Sequence, residues 1–326
     1  MADETNESIR RGRGLRISVS SADQAAESPL PERDTIVRGH GLRLSTAATT
    51  MQIATVRTVN GPLRYRRIGE GPPLIAVHGV GASGHLWRDV LNGLADIRTG
   101  YAIDLPGCGE SPARSSAPTL AMLADEIIAF ANALGLRRFD LLGHALGAGV
   151  AAIVAATHPA RVSQLILVSF GVRPSTPDAL TLALTRTPFD VFLGLARPLI
   201  NTWTGWAVGT PLTNQLMAAW LLAGPPADPA CWDAYLSDHA RADSRMYVTM
   251  QTMPADPTLK RRLQAIKAPT LLISGQDDRI IRPADVQAAA GFIESAKVEL
   301  IPACGHLPPI EHPVECQRLV REMIMA

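Results

Sequence analysis

The sequence of 326 residues carries almost no net charge, +1 from 31 Lys and Arg against 30 Asp and Glu. Chains that find nucleic acid electrostatically show a basic stripe, so this balance speaks against that class of partner. No apolar run reaches the roughly 20 residues that a membrane-spanning helix needs, and no membrane partner is expected. The first segment lacks the compact apolar core of a secretory signal, which makes a cytoplasmic location the expectation. Cysteine is scarce: Cys108, Cys231, Cys304 and Cys316 fall in unrelated segments without metal-ligand spacing. They read as small core residues in a reducing compartment. No Walker-type loop appears, and no cluster of His, Cys and carboxylates has metal spacing, so neither a nucleotide cofactor nor a metal is expected.

What is present is enough apolar material, 47% of residues, for a large core. The length leaves room for one α/β domain and an insertion. Residues 1–50 mix Arg10, Arg11, Arg13 and Arg16 with Asp, Glu, Ser and Pro and show no sustained periodicity. They read as a mobile, solvated extension. Strand patterns follow at Ile53–Thr58, Leu63–Ile68, Leu74–His78 and Thr99–Asp104, with helical patterns at His85–Ala95 and Leu120–Leu134. Strand and helix alternate in this way when a parallel sheet is covered on both faces. After a buried-strand run at Val162–Ser169 the alternation stops, and Ala268-Pro269-Thr270 restarts it. The core is thus expected over 51–171 and 269–326, with an insertion over 172–268. Phe189, Phe192, Trp203, Trp206, Trp220, Trp232, Tyr235 and Tyr247 lie in that insertion. As a helical cap over the carboxyl ends of the strands it would give an apolar pocket, although part of this set must serve the cap's own core.

The motif that bears most on chemistry is Gly143-His144-Ala145-Leu146-Gly147. It lies between a strand pattern, Arg138–Leu142, and a small-residue helix pattern, Ala148–His158. In Gly-x-Ser-x-Gly the glycines allow a sharp strand-to-helix turn that lifts the central side chain into a cleft. Here that side chain is a methyl group. Downstream, Leu271–Gly275 leads into Gln276-Asp277-Asp278, and Val298–Ile301 leads into Pro302-Ala303-Cys304-Gly305-His306. A carboxylate and then an imidazole therefore follow strand ends, in the order elbow, acid, base. Upstream, Leu74–Val77 ends in His78-Gly79-Val80-Gly81, a turn able to aim an N–H at an oxyanion.

Together with Asp104-Leu105-Pro106-Gly107-Cys108-Gly109-Glu110-Ser111, these segments resemble the successive signatures of the α/β-hydrolase family. The resemblance runs from about Ile53 to the C-terminus. It implies a mostly parallel, eight-stranded sheet flanked by helices, with an inserted α-helical cap. It also implies that residue 145 is the nucleophile position, Asp278 the acid and His306 the base, with the amides of Val80 and Leu146 forming the oxyanion hole. Gly79, His144, Trp87, Trp203 and Trp206 are the expected neighbours of a substrate. Trp87 either lines the acyl side of the pocket or packs the first helix on the sheet. Leu146 is similar to the residue after serine in esterases, lactonases and thioesterases, whereas epoxide hydrolases and dehalogenases of this fold usually carry tryptophan there.

A hydrophobic carboxylic ester or lactone is the substrate this implies, with no cofactor; a homo-oligomer is compatible with the sequence. Ala145 is read as a serine replaced by alanine, because acid, base and oxyanion turn are kept together. Two alternatives stand: a natural nucleophile-free protein in which His306 and Asp278 transfer protons, and a binding protein that reuses the fold. Asp277 is the alternative acid. Ser111 and Cys108 read as loop-fixing residues, His78 as structural, and His312 as a surface or capping residue.

Overall fold

Eight apolar runs become the strands β1 (Gln52–Thr58), β2 (Gly61–Ile68), β3 (Pro73–Val77), β4 (Thr99–Ile103), β5 (Phe139–His144), β6 (Val162–Val168), β7 (Thr270–Gly275) and β8 (Ala296–Ile301). They are seen in a computed structural model that describes residues 51–172, 210–246 and 258–326. The extension expected over 1–50 lies outside the described residues. The strands form one sheet in the order β1-β2-β4-β3-β5-β6-β7-β8. From β4 to β8 every pairing is parallel, while β1/β2 and β2/β4 are antiparallel. Only Val59 and Asn60 join β1 to β2, too short a link for a parallel crossover.

Central strands are buried on both faces, which is why they read as continuous apolar runs. Ile75, Val77, Leu141, Leu165, Leu167 and Leu272 pack into one layer, and Leu74, Ala76, Leu142, Ile166, Val168 and Ile273 into the other. The first layer is closed by α2 (Leu120–Ala133) and α3 (Leu146–Thr157), which supply Ile127, Phe130, Val150 and Ile153. The second is closed by α1 (Arg88–Asn92) and the C-terminal helix, with Leu91, Leu319, Val320 and Ile324. Thr119 caps α2 by accepting from the Met122 amide at 3.2 Å.

The helical pattern over His85–Ala95 resolves into a 3₁₀ turn, Gly84–Trp87, followed by α1. The tighter turn follows from a close packing: a Cβ on Gly84 would lie 2.7 Å from the Ala102 carbonyl oxygen. Within the interval expected as an insertion, the described residues form α4 (Pro211–Leu221), α5 (Pro229–Arg241) and α6 (Leu259–Gln264). Thr210 and Asp228 cap α4 and α5, each with proline in the first turn. Leu259 and Leu263 of α6 join the layer that holds α3. The remaining helices are α7 (Pro283–Ala290), α8 (Pro308–Glu311) and α9 (Pro313–Met325).

Candidate active site

The chain leaves β3 toward β4 on one side and enters β5 on the other, so the carboxyl ends of β3 and β5 flank a change of direction in strand order. Ligand crevices form at such points in open α/β sheets. The turn after β3 and the elbow after β5 meet there: a Cβ on Gly79 would stand 2.7 Å from His144 Nδ1 and 3.4 Å from the Ala145 Cβ. Ala145 has φ 48° and ψ −111°, a left-handed backbone uncommon outside glycine. Its amide donates to the Val168 carbonyl at 2.9 Å, and its own carbonyl accepts from Ala148 and Gly149, so strand and helix pin the turn from both sides. Gly147 is needed because α3 touches β3: a Cβ there would lie 2.3 Å from the His78 carbonyl oxygen.

The amides of Val80 and Leu146 have no hydrogen-bond partner among the described residues. Leu146 is the first residue of α3, where N–H groups point out of the helix unpaired. The loop before them is held by His78. Its Nδ1 donates to the Gly79 carbonyl at 2.6 Å and its Nε2 accepts from the Leu105 amide at 3.0 Å, a pattern only the neutral ring satisfies. Burial lowers the pKa of His78 in the same sense. Beneath the turn, Asp104 accepts from Arg66 Nη1 and the Gly84 amide, both at 2.7 Å, and from the Glu110 amide. Ser111 bridges Asp104 and Arg64, and the Cys108 thiol is buried, its pKa pushed well up by that burial. Both residues fix this loop.

Past β7, Asp278 is buried and Asp277 exposed. One oxygen of Asp278 accepts from the amides of Ile280 and Ile281 at 2.8 and 2.9 Å; the other accepts from His306 Nδ1 at 2.9 Å. Burial raises its pKa, but the hydrogen bond and charge of His306 and the two amides outweigh this, and the carboxyl lies below its ordinary value. Because the carboxylate only accepts, Nδ1 of His306 carries a proton and Nε2 is left on the far side of the ring from Asp278. The His306 backbone is held as tightly: its amide donates to the Leu221 carbonyl at 2.7 Å, and its carbonyl accepts from His144 Nε2 at 2.9 Å and Ser169 Oγ at 3.0 Å. The rings of His144 and His306 lie 5.1 Å apart. Burial first, then the neighbouring His306, pushes the His144 pKa down to about 3.

Helix α5 covers the turn after β3. Ser83 Oγ donates to Asp238 at 2.5 Å, and His239 Nε2 sits 2.6 Å from where a Cβ of Gly81 would be. Trp232 and Tyr235 stack at 5.5 Å on this helix, whereas Trp220 on α4 is exposed. Trp87 is fully buried in the layer with Leu91 and Val90. Trp203 and Trp206 lie outside the described residues, as do Phe189, Phe192 and Tyr247. His312 joins α8 to α9, with Nε2 3.0 Å from the Ala303 carbonyl oxygen. Asp89, Asp228 and Cys231 gather elsewhere, but Arg88 pairs with both carboxylates. No described helix is long and apolar enough to cross a membrane.

Sequence reasoning missed Ser169, Glu311 and Asp238. Each acts through a partner more than 80 residues away, apart from the contacts of Glu311 within its own loop, and no local pattern carries that information.

Residues 72–313 match the family model described as alpha/beta hydrolase fold. A relative from Cupriavidus necator, the dihydrolipoyllysine-residue acetyltransferase component of an acetoin cleaving system, is 38% identical over 124 residues, 38% of this chain and 33% of that protein. The chain thus spans about a third of that relative's length. A pimeloyl-(acyl-carrier protein) methyl ester esterase from Aeromonas hydrophila is 26% identical over 268 residues, 79% of this chain and 97% of the esterase. The solved enol-lactonase from Burkholderia xenovorans LB400 has the same fold, with TM-score 0.67, 18% identity, and 84% and 100% of the two chains covered. The eight-stranded sheet, the elbow after β5 and the match across most of the sequence place this chain in the α/β hydrolase fold family.

Proposed function

We propose that the site is that of a serine-type hydrolase of hydrophobic carboxylic esters or lactones, held in a form whose nucleophile has been replaced by alanine. The observation that carries this is the His306 Nδ1 to Asp278 contact of 2.9 Å, on a loop bonded through its backbone to the residue before Ala145. The esterase relative adds support for the substrate class. With a serine at 145, His306 Nε2 accepts the hydroxyl proton while Oγ attacks the carbonyl carbon, and Asp278 stabilises the imidazolium that forms. The amides of Val80 and Leu146, which owe nothing to other partners, receive the developing oxyanion. Collapse of the intermediate expels the alkoxide, which takes the proton from His306. Water then repeats the sequence on the acyl-enzyme and releases the acid. An alanine at 145 removes the attacking oxygen but leaves pocket and base in place; loss of such a nucleophile costs on the order of 10⁶-fold in turnover, about 8 kcal/mol of barrier.

The test is Ala145→Ser assayed on a panel of aryl esters, alkyl esters and lactones against the unaltered chain. Turnover that appears only with Ala145→Ser is the expected result. Absence of hydrolysis across the panel, with activity of the unaltered chain in a proton-transfer reaction, would favour the nucleophile-free alternative.

A further inference from the structure

Glu311, at the end of α8, is buried to 5% exposure, and the reaction steps above make no use of it. A carboxylate in that setting is costly unless its oxygens are hydrogen-bonded. They are. Both oxygens lie 3.0 Å from the Gly305 amide; Oε1 also accepts from the Leu307 amide at 3.2 Å, and Oε2 from the Ala223 amide at 2.7 Å and that of Gly224 at 3.4 Å. The amides on either side of His306 thus end on the same carboxylate as the amides that follow α4. Backbone bonds extend the joint in both directions, from the His306 amide to the Leu221 carbonyl and from the Ala227 amide to the Ile310 carbonyl at 3.0 Å. Gly305 makes the approach possible, since a Cβ there would lie 2.6 Å from the Leu221 carbonyl oxygen. None of the hydrogen bonds made by Glu311 reaches the His306 ring or Asp278.

We propose that Glu311 is a positioning residue that fixes the loop carrying His306 and fastens it to the end of α4, so that helix end and general base move as one body. The inference rests on the reading of His306 as the base. Without the carboxylate, the amides of 305, 307 and 223 lose their shared acceptor and the loop has no reason to keep its place. A displacement of about 1 Å at a catalytic group costs on the order of 10²-fold in rate.

Two readouts test this. In the chain with Ala145 in place, the proton on His306 Nδ1, bonded to Asp278, gives a low-field NMR resonance assigned by its loss in His306→Ala. Glu311→Gln keeps one acceptor oxygen and should broaden or shift that resonance; Glu311→Ala should abolish it, with cooperative thermal unfolding retained in both. In the Ala145→Ser background, Glu311→Ala should lower kcat about 10²-fold with KM little changed, and Glu311→Gln should fall between. An unchanged resonance and unchanged kcat in folded variants overturn the proposal. Should the Glu311 variants not fold, Ala223→Pro, which removes the shorter of the two hydrogen bonds from the residues after α4, carries the same two readouts. A resonance lost in the Glu311 variants but untouched by Ala223→Pro overturns the link to α4. If Ala145→Ser hydrolyses nothing, the hydrolase reading fails on its own, while the resonance still decides the role of Glu311.

Discussion

Replacing His144 with glutamine should flatten the dependence of stability on pH, by an amount that follows from where the ring sits. Its pKa is pushed from 6.5 down to about 3, mainly by burial. Below pH 6.5 the unfolded chain therefore takes up a proton at this position that the folded chain refuses until the pH nears 3. The stability tied to the neutral ring is complete above the unfolded value and is lost as pH falls toward the folded one. Between about pH 7.5 and about pH 5, a displacement of this size removes about 2 kcal/mol of unfolding free energy. His78 and His239 are displaced in the same direction, His239 to about 4, so the whole chain loses more than His144 alone accounts for. Glutamine keeps an N–H able to reach the His306 carbonyl but binds no proton. Urea unfolding of the parent and His144→Gln at the two pH values gives the comparison. The parent's loss should exceed the variant's by about 2 kcal/mol, and equal losses would refute the argument from burial.

Asp104→Ala removes three hydrogen bonds and leaves the buried Arg66 guanidinium without its counter-charge. The expected cost is about 3–5 kcal/mol in urea unfolding, and a loss under about 1 kcal/mol would contradict the buried-pair account. Gly147→Ala forces a methyl against the Val77 and His78 carbonyl oxygens, at 2.4 and 2.3 Å, where only backbone could yield. It should lower stability by about 3 kcal/mol or more, and an unchanged Tm contradicts the close approach of α3 to β3.

Much of the fold is legible in the sequence because the central strands are covered on both faces. Leu74–Val77, Leu141–Leu142 and Leu165–Val168 can then be apolar at every position, and turn residues stop them cleanly. The elbow is legible for a related reason: Gly143 and Gly147 stand where any side chain would strike backbone, so their spacing records a contact. Asp278 rather than Asp277 meets the imidazole because the tight turn after β7 exposes one side chain and buries the next. The sequence leaves open what depends on distant partners. Trp87 shares a buried layer with residues of α9, more than 200 positions away, which no local pattern announces. Ser169 follows β6 with φ 50° and donates to a carbonyl 137 residues away, which no local pattern encodes. Glu311 looks like an ordinary polar residue between Ile310 and His312 until the end of α4 is set against it.

The central claim is that His306, backed by Asp278, and the amides of Val80 and Leu146 converge on residue 145. Covalent labelling tests it most directly: Ala145→Ser is incubated with an alkyl fluorophosphonate, and the modified residue is located by mass spectrometry, with Ala145→Ser/His306→Ala alongside. The account predicts one equivalent of phosphonate on residue 145, formed rapidly with His306 present and slower by orders of magnitude without it. Labelling that ignores the loss of His306, or that never reaches residue 145, would contradict it.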